Sequence, residues 1–210
     1  MRFSSDRQRR AVCANYSRPA GRRRKWRFTV LDTETTGLTN RDRLIEVAAI
    51  SKGEQGYERY HTMVRPPVRI NSYASAVHGI TWKDVKYAPE FSEVRSDIQR
   101  IVDSSEKVVA QNANFDVRFL RNEGIRIEDS QVRDTMKIGK EYTPPIDTGG
   151  DGRLSLDDLT KGLGVKISAE ERHSAYGDAL GTLKCYEIMT AKQNTDGPWG
   201  HGTVPASNPD

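Results

Sequence analysis

Cysteine is nearly absent from this chain: Cys13 and Cys185 are its only two. One lies in a basic amino-terminal stretch and the other inside a helical pattern. Neither a disulfide framework nor a thiolate metal site is therefore expected, and a reducing, cytoplasmic setting fits best. Long apolar runs are missing as well. None approaches the roughly 18 residues that a membrane-spanning helix needs, and no signal-peptide core is visible, so no membrane is expected as a partner. Hydrophobic residues make up only 35% of the 210 positions, against 30% charged. That ratio suggests one globular centre with polar ends.

The charge is unevenly spread. Residues 1–28 hold ten Lys or Arg against the single acid Asp6, a net +9, whereas the whole chain is +4. The remainder is therefore mildly acidic, at −5. Three readings of this basic arm stand side by side: a contact for nucleic-acid phosphates through counterion release, a solvated and disordered terminus, and an organelle transit peptide. Too few apolar residues to make one helical face count against the third. Gln193 to Asp210 is rich in Gly, Pro, Asn and Ser and reads as a disordered tail. The expected organisation is a basic arm over 1–25, a folded domain over 26–192 and a tail over 193–210.

Within the domain, Phe28 to Thr33, Leu44 to Ile50 and Tyr57 to Val64 are strand candidates joined by short connections. That spacing suggests an antiparallel meander. The period then changes: after Pro89, apolar residues at Phe91, Val94, Ile98, Ile101 and Val102 fall at helical spacing. A short apolar strand at Lys107 to Ala110, a helix from about Asn114 to Glu123 stopped by Gly124, and a short strand near Val132 follow. Two more helical patterns lie around 155–162 and 175–192. A meander followed by strand–helix alternation gives an α/β fold with a mixed sheet and helices on its faces.

Four acids stand where apolar residues belong. Strand alternation puts Asp32 and Glu34 on the face of Phe28 and Val30. Asp116 shares a helix face with Phe119 and Leu120. Asp178 lies beside a stripe of Ala175, Ala179, Leu183 and Tyr186 on a helix that Ser174 can cap, and His173 precedes that helix. Each has a plainer alternative: a solvated turn, an acid favoured by a helix N-terminus, a surface or capping histidine. Together they weigh differently, because buried carboxylates are costly unless paired or bound to a cation. Arg118 and Arg172 are the only cations the motifs supply. Oxygen ligands in that number suit a hard divalent ion, Mg²⁺ or Mn²⁺, with His173 as a base that titrates near neutrality.

The ordered segments Asp32-Thr33-Glu34-Thr35-Thr36-Gly37-Leu38, Asn112-Ala113-Asn114-Phe115-Asp116 and His173-Ser174-Ala175-Tyr176-Gly177-Asp178-Ala179 resemble the DEDDh 3′→5′ exonucleases. The proofreading epsilon subunit of bacterial DNA polymerase III and ribonuclease T belong to that family. Leu44-Ile45-Glu46, Val77-His78-Gly79-Ile80-Thr81, Asp134-Thr135 and Leu154 to Leu159 extend the similarity to roughly residues 28–190. The resemblance implies a ribonuclease-H-like fold with a five-stranded mixed sheet, its first three strands antiparallel. It also implies two divalent ions: Asp32 bridging both, Glu34 and Asp178 completing the first, Asp116 helping to hold the second. His173 would take a proton from the attacking water, with release of nucleoside 5′-monophosphates. Thr35, Thr36, Gly37, Leu38, His78, Asn112 and Phe115 would touch the terminal nucleotide, Phe115 by stacking. His78 has a second reading, as a turn residue that supports the fold.

Departures from the family pattern are Gln111, where many members have His, the long loop from Pro144 to Gly152, and the basic arm and polar tail. No clamp-binding peptide or long polymerase-binding extension is evident. The implied partners are 3′ ends of nucleic acid, single-stranded DNA first, and a polymerase or repair protein. The implied roles are proofreading or DNA repair. RNA 3′-end trimming and a non-catalytic nucleic-acid adaptor are the alternatives. Deleting residues 1–24 separates enzyme from adaptor. The truncated enzyme is expected to bind oligonucleotides more weakly, with a shallower salt dependence in a binding titration, but to keep its turnover. An adaptor would lose its function altogether.

Overall fold

The computed structural model describes residues 26–54, 56–148, 152–168 and 172–195. The arm expected over 1–25, with Cys13, and most of the expected tail lie outside the described residues. Trp26 is buried and bridges to Ser105. Cys185 is free and buried, and burial pushes its thiol up to about 12.

Three strands form first: β1 (Phe28–Thr35), β2 (Leu44–Gly53) and β3 (Gly56–Met63). They pair antiparallel as the short connections require. β4 (Val108–Ala110) then pairs parallel to β1, and β5 (Val132–Asp134) parallel to β4, giving the order β3-β2-β1-β4-β5. This is the five-stranded mixed sheet expected. β1 is the strand where pairing changes from antiparallel to parallel.

Seven α-helices are described: α1 (Ser72–His78), α2 (Trp82–Val85), α3 (Phe91–Asp103), α4 (Ala113–Asn122), α5 (Thr135–Lys140), α6 (Leu156–Gly162) and α7 (Ala175–Thr195). α3 begins with a capping box between Glu90 and Glu93, and buries the five apolar residues that mark its period. Gly124, at φ 86°, lets the chain leave α4 in the left-handed region. α7 runs to Thr195, so 193–195 complete a helix instead of opening a tail. Propensity in a Gly- and Ser-punctuated segment did not predict α1, which has no buried residue, or α2, which has four residues.

The two sheet faces have different partners. Leu31, Val47 and Ala49 pack against α3 and α4 through Ile98, Ile101, Val117, Phe119 and Leu120. Phe28, Val30, Ala48 and Ile50 pack against α7 through Ala175, Ala179, Leu183 and Tyr186. Strand alternation thus assigns each β1 side chain to one helical layer. Ile98→Ala, which empties a fully buried position on α3, is expected to cost about 2–5 kcal/mol and lower the urea midpoint. Val77→Ala on exposed α1 should stay within about 0.5 kcal/mol of wild type in the same titration.

Candidate active site

The last residues of β1 divide between the two layers. Asp32 and Glu34 continue the Phe28–Val30 face and point toward α7, while Thr33 continues the Leu31 face toward α4. Asp178 sits in the first turn of α7. One carboxylate oxygen each from Asp32, Glu34 and Asp178 lies within 4.8 Å of the others. Asp116 comes from α4 on the opposite side of the sheet. It is 3% exposed and accepts a 2.8 Å hydrogen bond from the Thr33 hydroxyl. Three of the four acids are therefore brought into one cluster, and the fourth is held beside it across the strand.

The first turn of α7 is built locally. The Ser174 hydroxyl accepts from Gly177 N–H at 3.1 Å, and its carbonyl accepts from Asp178 N–H at 3.0 Å, which is the cap expected of it. His173, at φ 62°, occupies the left-handed region and turns the chain into the helix. Its backbone N–H bonds to Asp178 and its imidazole is exposed. The ring is thus at solvent beside the cluster.

The electrostatics are those of like charges crowded in a poorly solvated place. Burial, then Asp116, Asp178, Glu34 and Glu46, hold the Asp32 carboxyl well above the usual range. Burial and the same kind of neighbours, Glu46 first among them, push Glu34 to about 8. Burial pushes Asp116 to about 7 against the opposing Thr33 hydroxyl bond. Asp178 is raised by burial, with Arg172 as the main opposing influence. The Arg172 guanidinium reaches Asp157 Oδ1 at 2.6 Å and Asp178 Oδ1 at 3.3 Å, too poorly aligned with the latter for a hydrogen bond. Asp178 Oδ1 is a buried oxygen without a donor. An all-oxygen donor set and carboxylates that resist ionisation together fit a hard divalent cation.

The residues expected to touch substrate lie at the end of β1, in the turn after it, at the end of α1 and at the start of α4. The Thr35 hydroxyl donates to Gly37 O at 2.6 Å, and the Thr36 hydroxyl to Asp42 Oδ1 at 2.9 Å. A Cβ at Gly37 would fall 2.6 Å from that Asp42 carboxylate, so the turn needs glycine there. Leu38 is 75% exposed, and its carbonyl accepts from Arg118 at 3.0 Å. Phe115 is half-buried, with the Phe119 ring 4.9 Å away and the Arg118 guanidinium 5.6 Å over its face. Asn112 takes the left-handed region at φ 57° and offers no side-chain cap to α4. Its N–H donates to Asp134 Oδ1 at 3.1 Å, the same oxygen that caps α5 through Met136. His78 differs from the others of this set. Its Nδ1 accepts from Ile80 N–H at 3.0 Å, leaving Nε2 to donate to Thr35 O at 3.2 Å. With both nitrogens bound to backbone, His78 serves the turn-supporting role, and only its ring face is left for a nucleotide.

The departure at Gln111 also has a structural account. Its amide donates to Leu154 O at 2.7 Å and accepts from the Thr135 hydroxyl, joining α5 to the segment before α6. Sequence reasoning missed Thr33 and Asp134 as supports of the site. Strand alternation between two acids could have pointed to Thr33; Asp134 enters only as part of a segment that extends the family resemblance, without a role.

The exonuclease family model known as RNase T matches residues 29–186. The chain belongs to this exonuclease family. A DNA polymerase III epsilon-like protein from Rhodobacter capsulatus is 36% identical over 170 residues, covering 77% of this chain but 23% of its own length. The chain thus spans about a quarter of that relative. The DNA polymerase III epsilon subunit of Buchnera aphidicola from Schizaphis graminum is 31% identical over 185 residues, covering 80% of this chain and 76% of its own. Among solved structures, exonuclease X in complex with 5′ overhanging duplex DNA superposes with a TM-score of 0.59 at 25% identity, covering 79% and 93% of the two chains. This exonuclease is therefore a hydrolytic enzyme on a ribonuclease-H-like fold, and its family implies divalent metal ions. Among the described residues, no helix is long and apolar enough to cross a membrane.

The raised carboxyls carry a stability signature. A carboxyl raised from 4.5 to about 8, as in Glu34, binds more protons folded than unfolded across that interval. The metal-free exonuclease should therefore lose stability as pH rises through it. Added Mn²⁺ is expected to raise Tm, more at the alkaline end of the interval than at the acid end, and Glu34→Gln should flatten both trends in calorimetry. A metal-induced Tm shift independent of pH would contradict this.

Proposed function

We propose that this exonuclease hydrolyses the terminal phosphodiester bond at 3′ ends of single-stranded DNA and releases nucleoside 5′-monophosphates. In this reading Asp32, Glu34, Asp116 and Asp178 hold two Mg²⁺ or Mn²⁺ ions and His173 acts as general base. The observation that carries it is the three-carboxylate cluster at the end of β1, with Asp116 held at its flank and an exposed imidazole beside it. Two ions, when bound, supply stabilisation of the attacking and leaving oxygens of an in-line displacement.

The chain's own residues do the rest. His173 takes the proton of the attacking water, general-base work that imidazole side chains commonly perform. Its position at solvent gives that proton a way out. The Thr35–Gly37 turn, fixed by its own hydroxyl bonds and by Asp42, presents a rigid edge to the terminal nucleotide. The exposed Leu38 side chain and the Phe115 ring offer apolar surface to a base without selecting its sequence. The epsilon-subunit relatives and a solved neighbour bound to DNA favour DNA over RNA and a polymerase partner; on this reading the enzyme works in proofreading or repair, in the cytoplasm.

The test is to follow 5′-labelled single-stranded DNA and RNA of equal sequence with Mg²⁺ or Mn²⁺. Stepwise shortening of DNA, abolished by EDTA and by Asp32→Ala, is expected, and His173→Ala should lower turnover by about 10²-fold or more. Faster shortening of RNA would reassign the substrate. Undiminished activity in EDTA or in the His173 variant would sink the mechanism.

A further inference from the structure

Glu46 is a further buried carboxylate at the cluster, and the chemistry above does not use it. It is 2% exposed and faces Glu34 directly in the β1–β2 register. Like charges opposite one another on adjacent strands are unfavourable, and a buried carboxylate is costly unless its oxygens are bonded. Both Glu46 oxygens are. Oε1 lies 2.6 Å from His61 Nε2 on β3, and Oε2 accepts the Ala175 N–H at 3.0 Å.

Ala175 opens α7, and its N–H is one of those a helix leaves without an internal partner. The Ser174 hydroxyl satisfies Gly177, so Glu46 and Ser174 share the capping of this terminus. The two caps differ in what they join. Ser174 belongs to the same segment as the helix, whereas Glu46 ties the helix to the sheet. His61 holds the carboxylate from the next strand, and the Tyr176 ring lies 6.0 Å from the imidazole. Asp178 follows Ala175 by three residues and His173 precedes it by two. The turn that Glu46 grips is therefore the turn that carries both.

We propose that Glu46 is a positioning residue for hydrolysis: the bridge His61–Glu46–Ala175 N–H sets the depth and rotation at which α7 presents Asp178 and His173 to Asp32 and Glu34. The inference rests on the site proposed above. Glu46 acts through α7: each of its oxygens has a protein partner, and it stands outside the Asp32, Glu34 and Asp178 group that could hold an ion. Glutamine can keep both links: its carbonyl oxygen accepts from Ala175, and its amide donates to His61 in the tautomer with an unprotonated Nε2.

The experiment measures kcat and KM on a 5′-labelled DNA oligomer at saturating Mn²⁺, below each variant's unfolding temperature, and Mn²⁺ affinity by electron paramagnetic resonance. Glu46→Ala is expected to lower kcat and weaken Mn²⁺ binding by about 10-fold or more each, with KM nearly unchanged. Glu46→Gln should restore most of both losses, and His61→Ala should fall between. Wild-type kcat and Mn²⁺ affinity in Glu46→Ala overturn the proposal. So does a Glu46→Gln variant as impaired as the alanine, which would make the charge and not the bridge the requirement. Where Glu46→Ala does not fold, His61→Ala decides, and an unchanged kcat overturns the proposal. Asp32→Ala runs alongside. If it is inactive while Glu46→Ala is fully active, only this inference fails. If Asp32→Ala is as active as wild type, the reading of the site fails as well.

Discussion

Negative charge concentrated at the carboxyl end of β1 is the constraint around which the domain is arranged. Three carboxylates within 4.8 Å of one another, with Asp116 and Glu46 adjoining, would repel each other strongly if all were ionised in a poorly solvated place. The fold surrounds them with hydrogen bonds: Thr33 to Asp116, the His173 backbone to Asp178, His61 and Ala175 to Glu46. Among the described residues, one poorly aligned guanidinium, from Arg172, opposes the cluster. The remaining charge there is left for protons or for the divalent ions that the family implies.

That concentration is feasible because β1 is where the sheet changes character. It pairs antiparallel with β2 on one side and parallel with β4 on the other. The parallel side brings α4 in after β4, on the face of Thr33, and the antiparallel side leaves the opposite face free for α7. Crevices beyond the carboxyl ends of strands at such reversals are where α/β sheets bind ligands. Here both faces contribute an acid beside the end of β1.

Much of this was legible in the residues. The alternation of β1, the period of α3 and the stripe of α7 are burial patterns, and burial is what periodicity reports. The inward turn of Asp116 followed from its spacing to Phe119 and Leu120. α1 was not legible, because it buries nothing and is held by backbone bonds, Asn71 N–H to Thr36 O and His78 to Thr35 O. Gln111, which departs from the family pattern, turned out to be a tie between α5 and the segment before α6. The Glu46–His61 contact joins residues 15 apart on paired strands. Each looks unremarkable in a strand, and only the strand register puts the acid beside the terminus of a helix more than a hundred residues later.

Asp116 and Asp178 reach the end of β1 from helices packed on opposite faces of the sheet, so the span between them is set by the thickness of the sandwich and not by any loop. A layered core resists compression far better than a surface loop resists bending. The sheet and its two helical coats thus act as a caliper. The jaws are the two aspartates, and the gap is fixed by side chains such as Val30, Leu31, Val117 and Ala179 that never meet the substrate. Drift in those apolar positions would be felt first as a change in the separation of the two aspartates.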